Sequence, residues 1–128
     1  MTRTVDDLLA AARARLQRVD PPAALAATNE GALLVDIRPA AQRLASGVIP
    51  GALIIERNVL EWRLDPASDA RLPEADSYDR RIVLYCQSGY ASSLAAASLQ
   101  DLGLTGATDL IGGIETWQAA GLPLVPSP

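Results

Sequence analysis

Hydrophobic positions in the first thirty residues recur at helical spacing. Thr4, which is followed by two aspartates, is typical of a helix start, and apolar residues then repeat every three or four positions to about Arg18. Asp20, followed by two prolines, begins a second short helix that ends at an Asn-Glu-Gly sequence. The pattern predicts a helical extension over residues 1–30, packed on a domain that spans residues 31–128.

From Ala32 onward, short apolar runs alternate with helical segments. Four runs have the length of strands: "ALLVDIR", "GALII", "RIVLYC" and "ATDLI". Helices are predicted for "PAAQRLASG", "NVLEWRLD", the stretch from Leu94 to Leu102 and "IETWQAAG", and a Pro- and Asp-rich surface loop for 66–79. The alternation predicts an α/β domain with a doubly wound, mostly parallel central sheet of about five strands flanked by helices. "RIVLYC", the most apolar run, is expected at its centre.

The composition removes several kinds of site. All 11 basic residues are Arg, and the chain has neither Lys nor His. Schiff-base lysines, Ser/His and Cys/His dyads and His-bearing metal sites are therefore excluded, and we expect no cofactor and no metal ion. The predominance of Arg and Ala is typical of a GC-rich bacterial genome.

Charge and hydropathy limit the classes of partner that the chain is expected to bind. The net charge of −4, without a basic stripe, argues against nucleic acid. No apolar run approaches the roughly 18 residues of a membrane-spanning helix, and the N-terminus lacks a signal pattern. We therefore expect no membrane association and a cytoplasmic location, with which a single cysteine agrees.

That cysteine, Cys86, ends the third predicted strand, at the sheet edge where α/β proteins bind ligands. Gly89 allows the following loop to curl so that its backbone N–H groups converge on the sulfur, while Ser92 and Ser93 can cap or begin the next helix. Converging amides and a helix N-terminus favour a thiolate or a persulfide anion without a histidine. The alternative is a small buried hydrophobic residue at a strand end.

Three segments resemble the signatures of one family, in the same order. They are "LLVDIRPAAQRLASGVIPGALII", "IVLYCQSGYASSLAAASLQDLG" and "DLIGGIETWQAAGLPL". Together they resemble the rhodanese-like superfamily of single-domain sulfurtransferases over about residues 32–123. The resemblance implies that Cys86 accepts a sulfane sulfur from a small donor as a persulfide and passes it to a thiol, cyanide or a protein acceptor. It also implies that the loop binds the substrate, through Gln87, Ser88, Gly89, Tyr90, Ala91 and Ser92, and that Asp36 and Arg38 support the loop.

The loop departs from the family pattern at two positions. Active members commonly carry an arginine directly after the cysteine and a basic residue or threonine later in the loop, where this chain has Gln87 and Ala91. Outside the loop, Gln42 replaces a usual Glu and Val48 a usual His. The related phosphatases need an arginine six residues after the cysteine, and Ser92 stands there, which argues against phosphatase chemistry.

Three hypotheses remain for residues 86–92, which we call the cysteine loop. The first is a sulfurtransferase that works through a Cys86 persulfide. The second is a non-catalytic rhodanese module that binds a partner or senses redox state. The third and weakest is oxyanion binding at the loop amides. The donor, the acceptor and the oligomeric state stay open.

Side chains around the loop have expected positions as well. We expect Trp62 and Trp117 in the core. Tyr90 either lines the entrance to the site or packs against Trp62 or faces solvent. Arg57 and Arg63 are expected on the surface rather than at the pocket rim.

Overall fold

Four short strands form one parallel sheet in the computed structural model, which describes residues 2–128. The strand order is β2-β1-β3-β4, with β1 at Leu33–Asp36, β2 at Leu53–Ile54, β3 at Ile82–Tyr85 and β4 at Ala107–Asp109. The apolar run that ends at Cys86 is thus central, as predicted. The sheet of the described residues has four strands instead of about five, because the next extended segment along the β4 edge makes only one bridge, between Val19 and Leu110.

Helices cover both faces of this sheet and confirm the predicted α/β class. Their bounds are Val5–Ala14 (α1), Pro21–Asn29 (α2), Ala40–Ser46 (α3), Leu60–Leu64 (α4, after a 3-10 turn at Arg57–Val59), Ala91–Asp101 (α5) and Gly113–Ala119 (α6). Within residues 2–128, no helix has the length and apolar character needed to cross a membrane.

The first helix begins as predicted and ends earlier. Thr4 and Asp7 cap each other's backbone N–H groups in a capping box. The helix stops at Ala14, not near Arg18. The chain becomes extended there, because Val19 pairs with the sheet edge and accepts a hydrogen bond from the Ile111 N–H at 2.8 Å. Helix α1 itself packs along α5.

Alternate side chains of the strands enter two separate cores. Val35 and Leu84 belong to the core beneath α4 and α5, whereas Leu34 and Val83 belong to the core that contains Trp117 of α6. Burial of the central strands on both faces explains their continuous apolar sequence.

The two tryptophans have opposite environments. Trp117 is 1% exposed and its indole N–H donates to the Pro123 carbonyl at 2.8 Å, as expected for a core residue. The prediction for Trp62 is wrong, since that side chain is 61% exposed. In the five-residue helix α4, Leu60 and Leu64 share the buried face, and Trp62, halfway between them, points away from it.

Candidate active site

Cys86 follows the last residue of β3 and is 7% exposed. The Gly89 N–H donates to its Sγ at 3.2 Å, and Sγ lies 3.4 Å from the Ser92 hydroxyl oxygen. Gly89 adopts a φ of +84°, which turns its amide back toward the sulfur. Among the described residues this is the one loop amide that donates to Sγ, so the expected convergence of several amides is reduced to a single amide, and the Ser92 oxygen accepts from the thiol.

The loop rests on the glycine turn that begins α6. The N–H of Ile114 donates to the Cys86 carbonyl at 3.0 Å, and that of Glu115 to the Gln87 carbonyl at 3.3 Å. A Cβ atom on Gly113 would lie 2.5 Å from the Cys86 oxygen, which is too close for any side chain. The turn at Gly112 and Gly113 thus lets two backbones touch beneath the sulfur.

Asp36 and Arg38 form a fully buried ion pair beside the loop. The Arg38 guanidinium donates to Asp36 at 2.7 Å and to the Gln87 side-chain oxygen at 3.2 Å, and it also holds the Gly47 carbonyl at 2.7 Å. Burial alone would lower the pKa of Arg38, but the hydrogen bonds and charge of Asp36 outweigh it and raise that pKa. Arg38 therefore stays charged and ties Gln87 to the end of β1 and to the end of α3.

Tyr85 completes the buried wall behind this pair. Its ring lies 5.5 Å from the Arg38 guanidinium carbon, and its hydroxyl oxygen accepts a hydrogen bond from the Ile49 N–H at 3.2 Å. Burial first, and then the negative charge of Asp36, raise the pKa of Tyr85 well above its ordinary value. Tyr85 is therefore a neutral packing residue and not an acid at this site.

Asp109, at the end of β4, organises the other side of the loop. It has no exposed surface, and its Oδ2 accepts hydrogen bonds from Ser92 at 2.7 Å and from Ser93 at 2.8 Å. Of the two expected roles, capping or beginning α5, these serines have the second: the helix begins at Ala91 rather than Leu94, Ser92 and Ser93 lie in its first turn, and both hydroxyl groups point to Asp109. Ser92 thus connects the sulfur of Cys86 to a buried carboxylate.

The remaining loop residues predicted from the sequence face outward. Ser88 donates to the Glu115 carboxylate at 3.0 Å. Tyr90 is 64% exposed and so faces solvent, one of the expected possibilities, and the Arg13 guanidinium carbon lies 5.4 Å from its ring centre. Ala91 is exposed at the start of α5. Residues 2–128 contain no cluster of Cys, Asp and Glu side chains arranged to hold a metal ion.

Residues 20–120 match the family model of the rhodanese-like domain. The chain belongs to the rhodanese-like family. This confirms the resemblance of the three segments and the predicted fold.

Relatives of this rhodanese-like chain carry sulfurtransferase names. It is 38% identical over 99 residues to a sulfurtransferase of Allochromatium vinosum, covering 77% of this chain and 83% of the relative. It is 33% identical over 103 residues to the thiosulfate sulfurtransferase GlpE of Pseudomonas savastanoi pv. phaseolicola, covering 80% and 88%.

A solved structure from Rhodopseudomonas palustris is similar over nearly the whole chain. It shares 32% identity with a TM-score of 0.88, and the superposition covers 98% of this chain and 96% of the other. That protein is described as one of unknown function and a possible tyrosine phosphatase. The similarity therefore extends beyond the rhodanese-like match into the N-terminal segment.

Two arginines that precede the matched residues reach the cysteine loop. Arg13 donates to the Gly89 carbonyl at 2.8 Å, and Arg18 donates to the same oxygen at 3.0 Å. Arg18 also pairs with Asp109 at 2.8 Å. Sequence reasoning missed both residues and Asp109. A usable signal was present, because an aspartate inside an apolar strand requires a buried partner.

The other two arginines considered from the sequence stay away from the loop. Arg57 pairs with Glu61 at 2.9 Å, and Arg63 donates to the Ala70 carbonyl. Both contacts lie on the surface of the rhodanese-like domain, as expected.

Proposed function

We propose that this chain is a sulfurtransferase that carries sulfane sulfur as a persulfide on Cys86 and transfers it to a thiol, cyanide or a protein acceptor. The observation that carries the proposal is the position of the Cys86 sulfur, at the carboxyl end of a central parallel strand with the Gly89 N–H directed at it at 3.2 Å. The sulfurtransferase names of the relatives support the same class of reaction.

The reaction needs a nucleophilic sulfur and a leaving group. The Cys86 thiolate attacks the outer sulfur of the donor and a new S–S bond forms, while the donor's own bond to that sulfur breaks and its electron pair leaves with the donor remnant. For thiosulfate the broken bond is S–S and the remnant is sulfite, and for 3-mercaptopyruvate the broken bond is C–S and the remnant is the enolate of pyruvate. An acceptor thiolate or cyanide then attacks the outer sulfur of the persulfide, and the electron pair of the broken S–S bond returns to Cys86. No net oxidant or reductant is required.

The surroundings of Cys86 suit both anionic forms of its sulfur, the thiolate before sulfur transfer and the persulfide after it. An N–H donor stabilises a thiolate and a persulfide alike, since both carry one negative charge at sulfur. Cys86 is 7% exposed and lies under a loop whose outer residues are exposed. The loop itself carries no acid, and the buried Asp109 beside it is paired with Arg18.

The test is direct loading of the protein with sulfur. The wild-type chain is incubated in turn with thiosulfate, 3-mercaptopyruvate and inorganic polysulfide and is weighed intact under non-reducing conditions. We expect a gain of one sulfur atom, removed by cyanide with release of thiocyanate and absent in Cys86→Ala. A wild-type chain that no donor loads would refute sulfur carriage.

The second candidate is a non-catalytic module that binds a partner or senses redox state. Gln87 and Ala91 favour it, because they stand where active relatives carry charged or hydroxyl-bearing groups. This candidate predicts that a partner is retained equally by wild type and Cys86→Ala, and that Cys86 accepts no sulfur. The loading experiment therefore separates the two candidates.

Phosphatase chemistry is disfavoured by the site itself. The position that needs a phosphate-binding arginine holds Ser92, which is buried and donates to the Asp109 carboxylate. A neutral hydroxyl group that is already committed to Asp109 cannot clamp a phosphate group as a guanidinium group would.

A further inference from the structure

Three guanidinium groups contact the cysteine loop, although the loop itself contains no basic residue. Arg38 reaches the Gln87 side chain, and Arg13 and Arg18 both reach the Gly89 carbonyl. Two of these positive charges are already neutralised by buried carboxylates. Arg38 pairs with Asp36 at 2.7 Å and Arg18 with Asp109 at 2.8 Å.

Arg13 is different, since within residues 2–128 it forms no ion pair. Its NH2 group donates to the Gly89 carbonyl at 2.8 Å, and its Nε donates to the Ser93 hydroxyl at 3.1 Å. The NH1 group has no hydrogen-bond partner among the described residues, and the side chain is partly exposed. A full positive charge with a free N–H face therefore stands against the residue whose amide contacts the Cys86 sulfur.

A groove beside the loop gives this charge access to solutes. It has a volume of about 450 Å³ and runs between α1 and the exposed loop residues Tyr90 and Ala91, with Arg13 in its wall. The single carboxylate on the groove belongs to Asp6, seven residues before Arg13 and so about 10 Å away along the helix axis. The loop end of the groove is therefore positive.

We propose that Arg13 is the anion-recognising residue of this site: it holds the Gly89 peptide in place and attracts anionic sulfur donors such as thiosulfate. It thus supplies from α1 the charge that Gln87 and Ala91 do not supply from the loop. The preference for anionic donors rests on the proposed sulfur transfer, whereas the position of the Arg13 charge beside the loop does not.

The charge is tested with two alkylating reagents of similar size, anionic iodoacetate and neutral iodoacetamide. The ratio of their rates with Cys86 reports the local potential, because a change in loop mobility alters both rates together. One charge about 6 Å away changes such a ratio about threefold even when the intervening medium screens it as fully as bulk water does. We therefore expect Arg13→Gln to lower the iodoacetate-to-iodoacetamide ratio about threefold and Arg13→Lys to retain it.

Arg15→Gln is the matched control. Arg15 lies just after the same helix and pairs with Asp101 on the surface, so its removal changes the net charge equally without touching the loop. We expect the wild-type ratio in this variant. Equal ratios in Arg13→Gln, Arg15→Gln and wild type would overturn the proposal.

Sulfur loading separates this inference from the proposed function. Relative to wild type, the loading rate of Arg13→Gln should fall at least threefold more with thiosulfate than with a neutral organic trisulfide, because loss of the contact with Gly89 affects both donors and loss of the charge affects only the anion. Equal slowing with both donors would overturn the donor-recognition role. If no donor loads the wild type while the alkylation ratio still falls in Arg13→Gln, the charge at the loop is supported and sulfur transfer is refuted.

Discussion

Replacing Gly89 by alanine tests whether the loop conformation controls the reactivity of Cys86. Gly89 has a φ of +84°, and a Cβ atom built on it would lie 2.6 Å from the Gly112 nitrogen and 3.0 Å from the Gly112 Cα. Both neighbours are backbone atoms of the turn below the loop, which cannot rotate away as a side chain would. The Gly89 peptide must therefore move, and its N–H leaves the Cys86 sulfur.

The structure provides a control with the same backbone conformation and no contact. Gly51 has a φ of +82°, and a Cβ atom there would meet nothing within 4 Å. Gly51→Ala should lose only the conformational term of about 1–2 kcal/mol. Gly89→Ala should lose that term plus about 1–3 kcal/mol for the forced displacement of packed atoms. The expected loss of about 2–5 kcal/mol for Gly89→Ala leaves a folded protein if the wild type has an ordinary free energy of unfolding of about 5–15 kcal/mol.

Urea unfolding measures the two free energies, and intact mass after incubation with thiosulfate measures sulfur loading. We expect Gly51→Ala to load as the wild type does, and Gly89→Ala to load at least tenfold more slowly, because a hydrogen bond to a charged group is worth a factor of about ten or more. If the two variants lose equal stability and load equally fast, the contact between the loop and Gly112 does not position the Gly89 amide.

Two further predictions concern ion pairs, one beside the cysteine loop and one on the surface of the domain. Arg38→Met leaves the carboxylate of Asp36 buried without its partner, and urea unfolding should show a loss of about 3–5 kcal/mol in stability. Adding Asp36→Asn to the same chain should restore part of that loss. A double variant that recovers no stability would contradict the pairing. Burial would raise the pKa of Glu61, but hydrogen bonds from Ser98 and Arg57 lower it overall, so ionised Glu61 stabilises the fold at neutral pH. Urea unfolding measured across pH should therefore find Glu61→Gln less stable than wild type at pH 7. The difference in the free energy of unfolding should shrink below pH 4.5 and vanish below the lowered pKa of Glu61. A difference that stays constant with pH would contradict this stabilising role of ionised Glu61.

The sheet could be predicted because its strands are buried on both faces. A run such as the four residues of β3, all buried, leaves no polar position that would fit a helix with one exposed face. The position of Cys86 followed from the same pattern, since a polar residue after such a run marks the carboxyl end of the strand. The local cap at Thr4 was also readable, because its partner Asp7 is three residues away.

Errors arose where a tertiary contact overrode a local preference. Apolar residues continue at helical spacing beyond Ala14, yet the chain leaves the helix because Val19 gains hydrogen bonds at the edge of the sheet. Trp62 was assigned to the core because it lies in a predicted helix, but in a helix of five residues only one face is buried, and Leu60 and Leu64 occupy it. Neither the pairing of Val19 at the sheet edge nor the occupation of the buried face of α4 by two leucines can be inferred from the local composition.

The charge balance of the site shows why reading the loop motif alone is insufficient. Asp109 lies in an apolar strand and needs a cation, but any of the 11 arginines could serve until the topology is known. Its partner, Arg18, is 91 residues away in the chain and arrives because Val19 pairs beside β4. The same pairing brings the end of α1 to the loop, and with it Arg13, whose charge no carboxylate among residues 2–128 cancels by an ion pair. The cysteine loop has no arginine, yet arginines from elsewhere in the chain bring positive charge to it. The loop motif and the charge near Cys86 therefore have to be tested as separate properties.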